Sequence, residues 1–96
     1  MNIHNWSGKH WSKSKTWKAG GRDLTKEWHV YGLAWSETAL VWYFDGQEIR
    51  RETNAICHRP APVLLSSAVI KWAGPVTDAI DGTSMDVDYV RVYQRR

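Results

Sequence analysis

From Glu27 onward the chain alternates between inward-type and outward-type positions with a period of two, and turn residues, not helical spacing, break the alternation. The pattern predicts strands over residues 28–35, 39–45, 47–53, 63–71 and 85–94. In the second of these, Leu40, Trp42 and Phe44 fall on one face, with Val41 and Tyr43 on the other. Asp45-Gly46 then predicts a tight type I′ hairpin turn, because both central residues of that turn need positive φ. Residues 47–53 return as a charged strand suited to a sheet edge, with Glu48 and Glu52 expected on one face. Residues 28–35 are apolar or aromatic on both faces, so Trp28 and Trp35, with Trp42, are expected in the core.

Pro60 and Pro62 interrupt the pattern before 63–71, which has the composition of a buried strand. Trp72-Ala73-Gly74-Pro75 turns the chain, and 85–94 closes it. Before Glu27 the periodicity is weaker, with short strands expected around 3–6 and 14–18. Five to seven strands without crossover helices predict an all-β fold, an antiparallel β-sandwich or part of one. The chain divides into a basic Trp/Lys-rich segment, 1–26, and a sandwich part, 27–96.

Charge sharpens that division. The net charge is +3, yet 1–26 holds Lys9, Lys13, Lys15, Lys18, Arg22 and Lys26 against Asp23 alone. Such a segment attracts polyanions, although no nucleic-acid-binding motif accompanies it and nucleic acid is not the expected partner. Seven Trp among 96 residues argue for a packed, globular chain and against disorder. Cys57 is the lone cysteine, so an intrachain disulfide framework is excluded. His4, His10, His29, His58 and Cys57 lack zinc-ligand spacing. No apolar run is long enough to span a membrane, and the first ten residues lack the apolar core of a secretion signal.

The order of features is more specific than any one of them. Trp28-His29-Val30-Tyr31-Gly32-Leu33-Ala34-Trp35 resembles the F/W-H-x-Y-G-x-x-W strand of glycoside hydrolase family 16. Tyr43-Phe44-Asp45-Gly46 resembles that family's hairpin, and residues 64–74 its Trp-bearing strand and loop. Residues 85–94 resemble its terminal M-x-V-D-Y-V-R-V-Y-Q strand. Ile70-Lys71 stands where the family usually has Gly-Gly, and Ser66-Ser67 lies near its Asn. The resemblance implies a partial concanavalin A-like jelly roll with a glycan cleft on its concave sheet. It also implies retaining hydrolysis of β-linked polysaccharides by two glutamates in an E-x-D-x-x-E strand. Period-two spacing sets such carboxylates on one face, close enough to attack and protonate the same bond.

That motif is absent from these 96 residues. Arg50 and Arg51 separate Glu48 from Glu52, and Asp86 and Asp88 lie in the terminal strand, which supplies no catalytic acid in the family. In relatives the catalytic strand precedes a segment like 2–17, and an intact domain is more than twice as long. No unaided glycosidase activity is therefore expected, and relatives are commonly secreted. The resemblance places His4 and Trp6 on a cleft-lining strand and Trp72 on a cleft-bordering loop, with Trp11 able to extend the aromatic surface. His4, Trp6, Trp11 and Trp72 are thus the candidate carbohydrate-binding residues, while Trp17 is expected to pack. Asp88 matches an aspartate that helps hold a structural Ca²⁺ in some members, and no cofactor is otherwise required.

Part of a jelly roll leaves sheet edges and an apolar face uncovered. Self-association into a homo-oligomer is the simplest remedy for one gene product. Three functions follow: a β-glycan-binding remnant without chemistry, half of a split hydrolase active with a complementary chain, or a small oligomeric product with no carbohydrate role.

Overall fold

The computed structural model describes residues 1–95. They form an all-β, antiparallel partial β-sandwich of the jelly-roll kind. The strands are β1 (Asn2–Asn5), β2 (Trp11–Ser14), β3 (Tyr31–Trp35), β4 (Ala39–Phe44) and β5 (Gln47–Thr53). β1 and β2 make a two-stranded sheet, and the other three a sheet of order β3-β4-β5. The chain separates into two compact units, Met1–Pro60 and one that begins at Ala61.

All five strands lie in the first unit. The β4–β5 hairpin forms where its alternation and turn predict, with Asp45 at φ 48° and Gly46 at φ 81°. Leu40 and Phe44 are buried on one face and Val41 on the other. Phe44 is the hub: Trp17 and His29 each lie 4.9 Å from it, and Tyr31 meets it edge-on at 5.4 Å. The Arg22 guanidinium sits 5.5 Å from its centroid. Residues of the basic segment therefore cover the sheet, and Trp17 packs as expected.

A bulge in β5 changes the expected placement of two acids. Trp42 pairs with Arg50, but Tyr43 pairs with Glu48, so Ile49 is the additional residue. Glu52, opposite Leu40, and Glu48, opposite Tyr43, consequently lie on different faces.

β3 begins at Tyr31, later than the pattern indicates, because Asp45 captures the preceding residues with its side chain. Its Oδ1 accepts the Val30 N–H and its Oδ2 contacts His29 Nδ1, each at 2.8 Å. Trp28 stays outside the sheet and is 71% exposed. Trp35 is also exposed, its indole N–H donating to the Cys57 carbonyl, and Trp42 is half-buried. Of the three tryptophans expected in the core, Trp42 alone is half-buried, and Trp28 and Trp35 are exposed.

In the second unit, residues 63–71 and 85–94 are not strands, and apart from the half-buried Ile70 their side chains are exposed. A period-two segment becomes a strand only when a neighbour pairs with its backbone, and neither has one among the described residues. The regular elements there are two 3₁₀ turns, Lys71–Ala73 and Asp78–Ile80.

Candidate aromatic binding site

The β1–β2 hairpin assembles a flat aromatic surface at its tip. Asn5 Oδ1 accepts the Ser7 N–H at 2.8 Å, an Asx turn that starts the reversal. Gly8 continues it at φ 78°, a conformation that would strain an L side chain. The chain re-enters the ladder with Trp11 opposite Asn5, which brings His10 back beside Trp6. The Trp6 and His10 rings lie face to face, with centroids 3.8 Å apart and planes 8° from parallel.

His4 joins the same surface. Its Nδ1 lies 3.0 Å from His10 Nε2, one imidazole donating and the other accepting. The two ring planes differ by 13° with centroids 5.3 Å apart. With the nitrogens this close, that separation means the imidazoles meet edge to edge rather than stack. The pair makes a nearly planar layer with the Trp6 indole laid over it, and Trp6 is 73% exposed.

Of the four aromatic candidates, the structure brings His4 and Trp6 together and adds His10. No sequence periodicity marks His10, since it lies in the loop; the available signal was a second imidazole within one hairpin. Trp11 projects to the opposite side of the hairpin, the side of Ile3 and Lys13. With them it lines a groove of about 230 Å³ whose floor includes Leu40 and Ile56. Trp72 lies in the second unit, in the Lys71–Ala73 turn, and is 86% exposed. Asp88 is exposed in an unpaired stretch, and the described residues contain no group of three or more His, Cys, Asp or Glu able to hold a metal.

Behind the hairpin, ion pairs fasten it to the three-stranded sheet. Lys13 Nζ and Arg50 both grip the Glu52 carboxylate, Arg50 through Nε at 3.1 Å. Arg50 Nη1 also donates to the Met1 carbonyl at 2.6 Å, and its guanidinium lies 4.8 Å from the Trp42 ring. Nη2 sits 3.0 Å from Glu52 Oε1 as an ion-pair contact but without hydrogen-bond geometry.

Four carboxylates of this unit, those of Asp23, Asp45, Glu48 and Glu52, are held below their ordinary pKa values. Lys13, with Arg50 in support, lowers the pKa of Glu52; the two-pronged contact from Arg51 lowers that of Glu48. Asp45 is lowered first by the Val30 N–H and then by His29, and Asp23 by the Thr25 hydroxyl and N–H. A glycosidase acid needs the reverse, a carboxyl whose environment keeps its proton.

A family model for glycosyl hydrolases family 16 matches residues 1–91. Among characterised proteins, the chain is similar to the endo-1,3-1,4-beta-glycanase EglC of Rhizobium meliloti (strain 1021), 42% identical over 72% of this chain and 15% of the relative. It is similar to the endo-1,3-1,4-beta-glycanase ExsH of the same organism, 40% identical over 68% of this chain and 14% of the relative. A kappa-carrageenase of Pseudoalteromonas carrageenovora is 28% identical over 74% of this chain and 21% of the relative. The chain thus spans about a seventh of the length of the first two relatives. No solved structure matches it.

Proposed function

The chain belongs to glycosyl hydrolases family 16, and from that premise we propose that these residues form a β-glycan-contacting part of such a domain that does not itself supply the acid and nucleophile. The observation that carries the proposal is the Trp6–His10 stack, exposed at a hairpin tip with His4 alongside. A pyranose presents an apolar C–H face that packs on a flat ring, while the imidazole edges offer donors and acceptors to its hydroxyls. The lowered pKa values of Asp23, Asp45, Glu48 and Glu52 fit a binding role and oppose a proton-donating one. The ligand class, a β-linked glucan of mixed 1,3 and 1,4 linkage, is suggested by the names of the two Rhizobium relatives.

The test is a nuclear magnetic resonance titration with a mixed-linkage β-gluco-oligosaccharide. The Trp6 indole N–H and the His10 ring signals are expected to shift saturably, with Trp28 unmoved. Shifts spread evenly over all the indoles, or no shift at all, would count against the proposal.

A further inference from the structure

The β1–β2 hairpin brings together two imidazoles that stand six residues apart in the chain. His4 lies in β1 opposite Ser12, and Trp6 continues the same face two residues on, with the His10 ring against it. His4 and His10 are therefore diagonal neighbours on one face, and His4 Nδ1 comes within 3.0 Å of His10 Nε2. Of the other two histidines, His29 is held by Asp45 Oδ2 at 2.8 Å with its side chain 7% exposed, and His58 is exposed outside the strands.

The separation of the two nitrogens has a chemical meaning. Imidazole nitrogens bind divalent transition ions at about 2.0–2.1 Å, so two of them in neighbouring positions of a square-planar or tetrahedral shell stand about 2.9–3.4 Å apart. The His4–His10 distance falls in that window. One hydrogen now joins the rings, the N–H of one facing the lone pair of the other. An ion replaces that hydrogen bond when both rings turn toward a common point. The ring that donated then carries its hydrogen on its outer nitrogen, and two neutral imidazoles offer two lone pairs.

The surroundings favour such a site. The Trp6 indole, 3.8 Å from the His10 ring and nearly parallel to it, backs the pair and restricts how His10 can turn. The Asn5–Ser7 Asx turn and Gly8 hold the loop that returns His10 to the hairpin. Lys13, on the opposite side of the hairpin, is already paired with Glu52.

We propose that His4 Nδ1 and His10 Nε2 chelate one late first-row divalent ion, Cu²⁺ or Ni²⁺ before Zn²⁺, with water in the remaining positions. Imidazole donors suit these ions, and the usual order of affinity peaks at Cu²⁺. Mg²⁺ takes oxygen ligands and is not a match for the pair.

A nuclear magnetic resonance titration of the full chain with NiCl₂, with MgCl₂ as control and no glycan present, tests the proposal. The paramagnetic ion should broaden the His4 and His10 ring signals and the Trp6 indole N–H first, while those of His29 and His58 stay sharp. MgCl₂ should change nothing. By isothermal titration calorimetry with CuCl₂, His10→Ala should weaken binding by roughly tenfold or more, and His58→Ala should leave it unchanged. The broadening pattern of the unsubstituted chain reads the site even if a variant disturbs the hairpin. Absence of broadening overturns the proposal, as does broadening of His58 equal to that of His4 and His10, or an unchanged affinity in His10→Ala. With no sugar in either experiment, that failure would be distinct from failure of the glycan contact.

Discussion

The Arg50 guanidinium lies 4.8 Å from the Trp42 ring across the β4–β5 ladder, and both belong to the sheet face that meets the amino-terminal hairpin. Arg50 is 3% exposed, with its charge shared between that ring, the Glu52 carboxylate and the Met1 carbonyl. The side chain serves as both filler and fastener, because its stem packs while its fork bonds.

Arg50→Ala removes that fastener and leaves the Met1 carbonyl with the Lys15 N–H as its donor. It is expected to lower unfolding free energy by about 2–3 kcal/mol, in line with losing a buried, hydrogen-bonded side chain. In a chain of this size that is a fall of about 10 °C or more in Tm. Thermal unfolding followed by circular dichroism measures it, and a change of a degree or two would show that the hairpin is held by other contacts.

The Asp45-Gly46 turn makes a different prediction. A Cβ added at Gly46 meets no atom within 4 Å, so its cost comes from φ alone, which stands at 81°. Gly46→Ala should therefore destabilise by about 1–2 kcal/mol without any clash. At Gly32 the relation is inverted: φ is ordinary, but the new Cβ would lie 3.4 Å from the Tyr43 Cβ. Gly32→Ala should cost less than Gly46→Ala, and denaturant midpoints of the two variants compare them.

Acid should weaken the fold along a predictable path. Asp45, Glu48 and Glu52 have folded-state pKa values below their ordinary 3.8, 4.5 and 4.5. Each binds its proton more readily when unfolded, so its contribution is complete above the ordinary value and disappears as pH falls through the folded one. Tm should be insensitive to these groups between pH 7 and 5 and should decline below about pH 4.5. Glu52→Gln should flatten part of that decline. An unchanged acid profile in this variant would separate Glu52 from the stability of the fold.

Much of the architecture was legible in the residues, though unevenly. β4, its turn and β5 follow the pattern almost residue for residue, because alternation and an Asp-Gly turn specify a hairpin locally. The β5 bulge at Ile49 was not legible, since nothing in the alternation distinguishes Glu48 and Glu52 on one face from the same pair on two. Residues 63–71 and 85–94 have β composition, but composition cannot supply the neighbouring strand. Trp28 reads as a core residue until Asp45 captures His29 and Val30 and holds the start of β3 back. At the candidate site, the family resemblance pointed to His4 and Trp6, whereas His10 needed the loop geometry that only the folded hairpin provides.

The Trp6–His10 surface is the proposed glycan contact. Native affinity electrophoresis in gels containing mixed-linkage β-glucan tests it most directly, comparing the parent chain with Trp6→Ala and Trp28→Ala. Both indoles are highly exposed, but only that of Trp6 belongs to the stack. The parent and Trp28→Ala should be retarded equally and Trp6→Ala should migrate as in a gel without glucan. Equal retardation of all three, or retardation of none, would contradict the account.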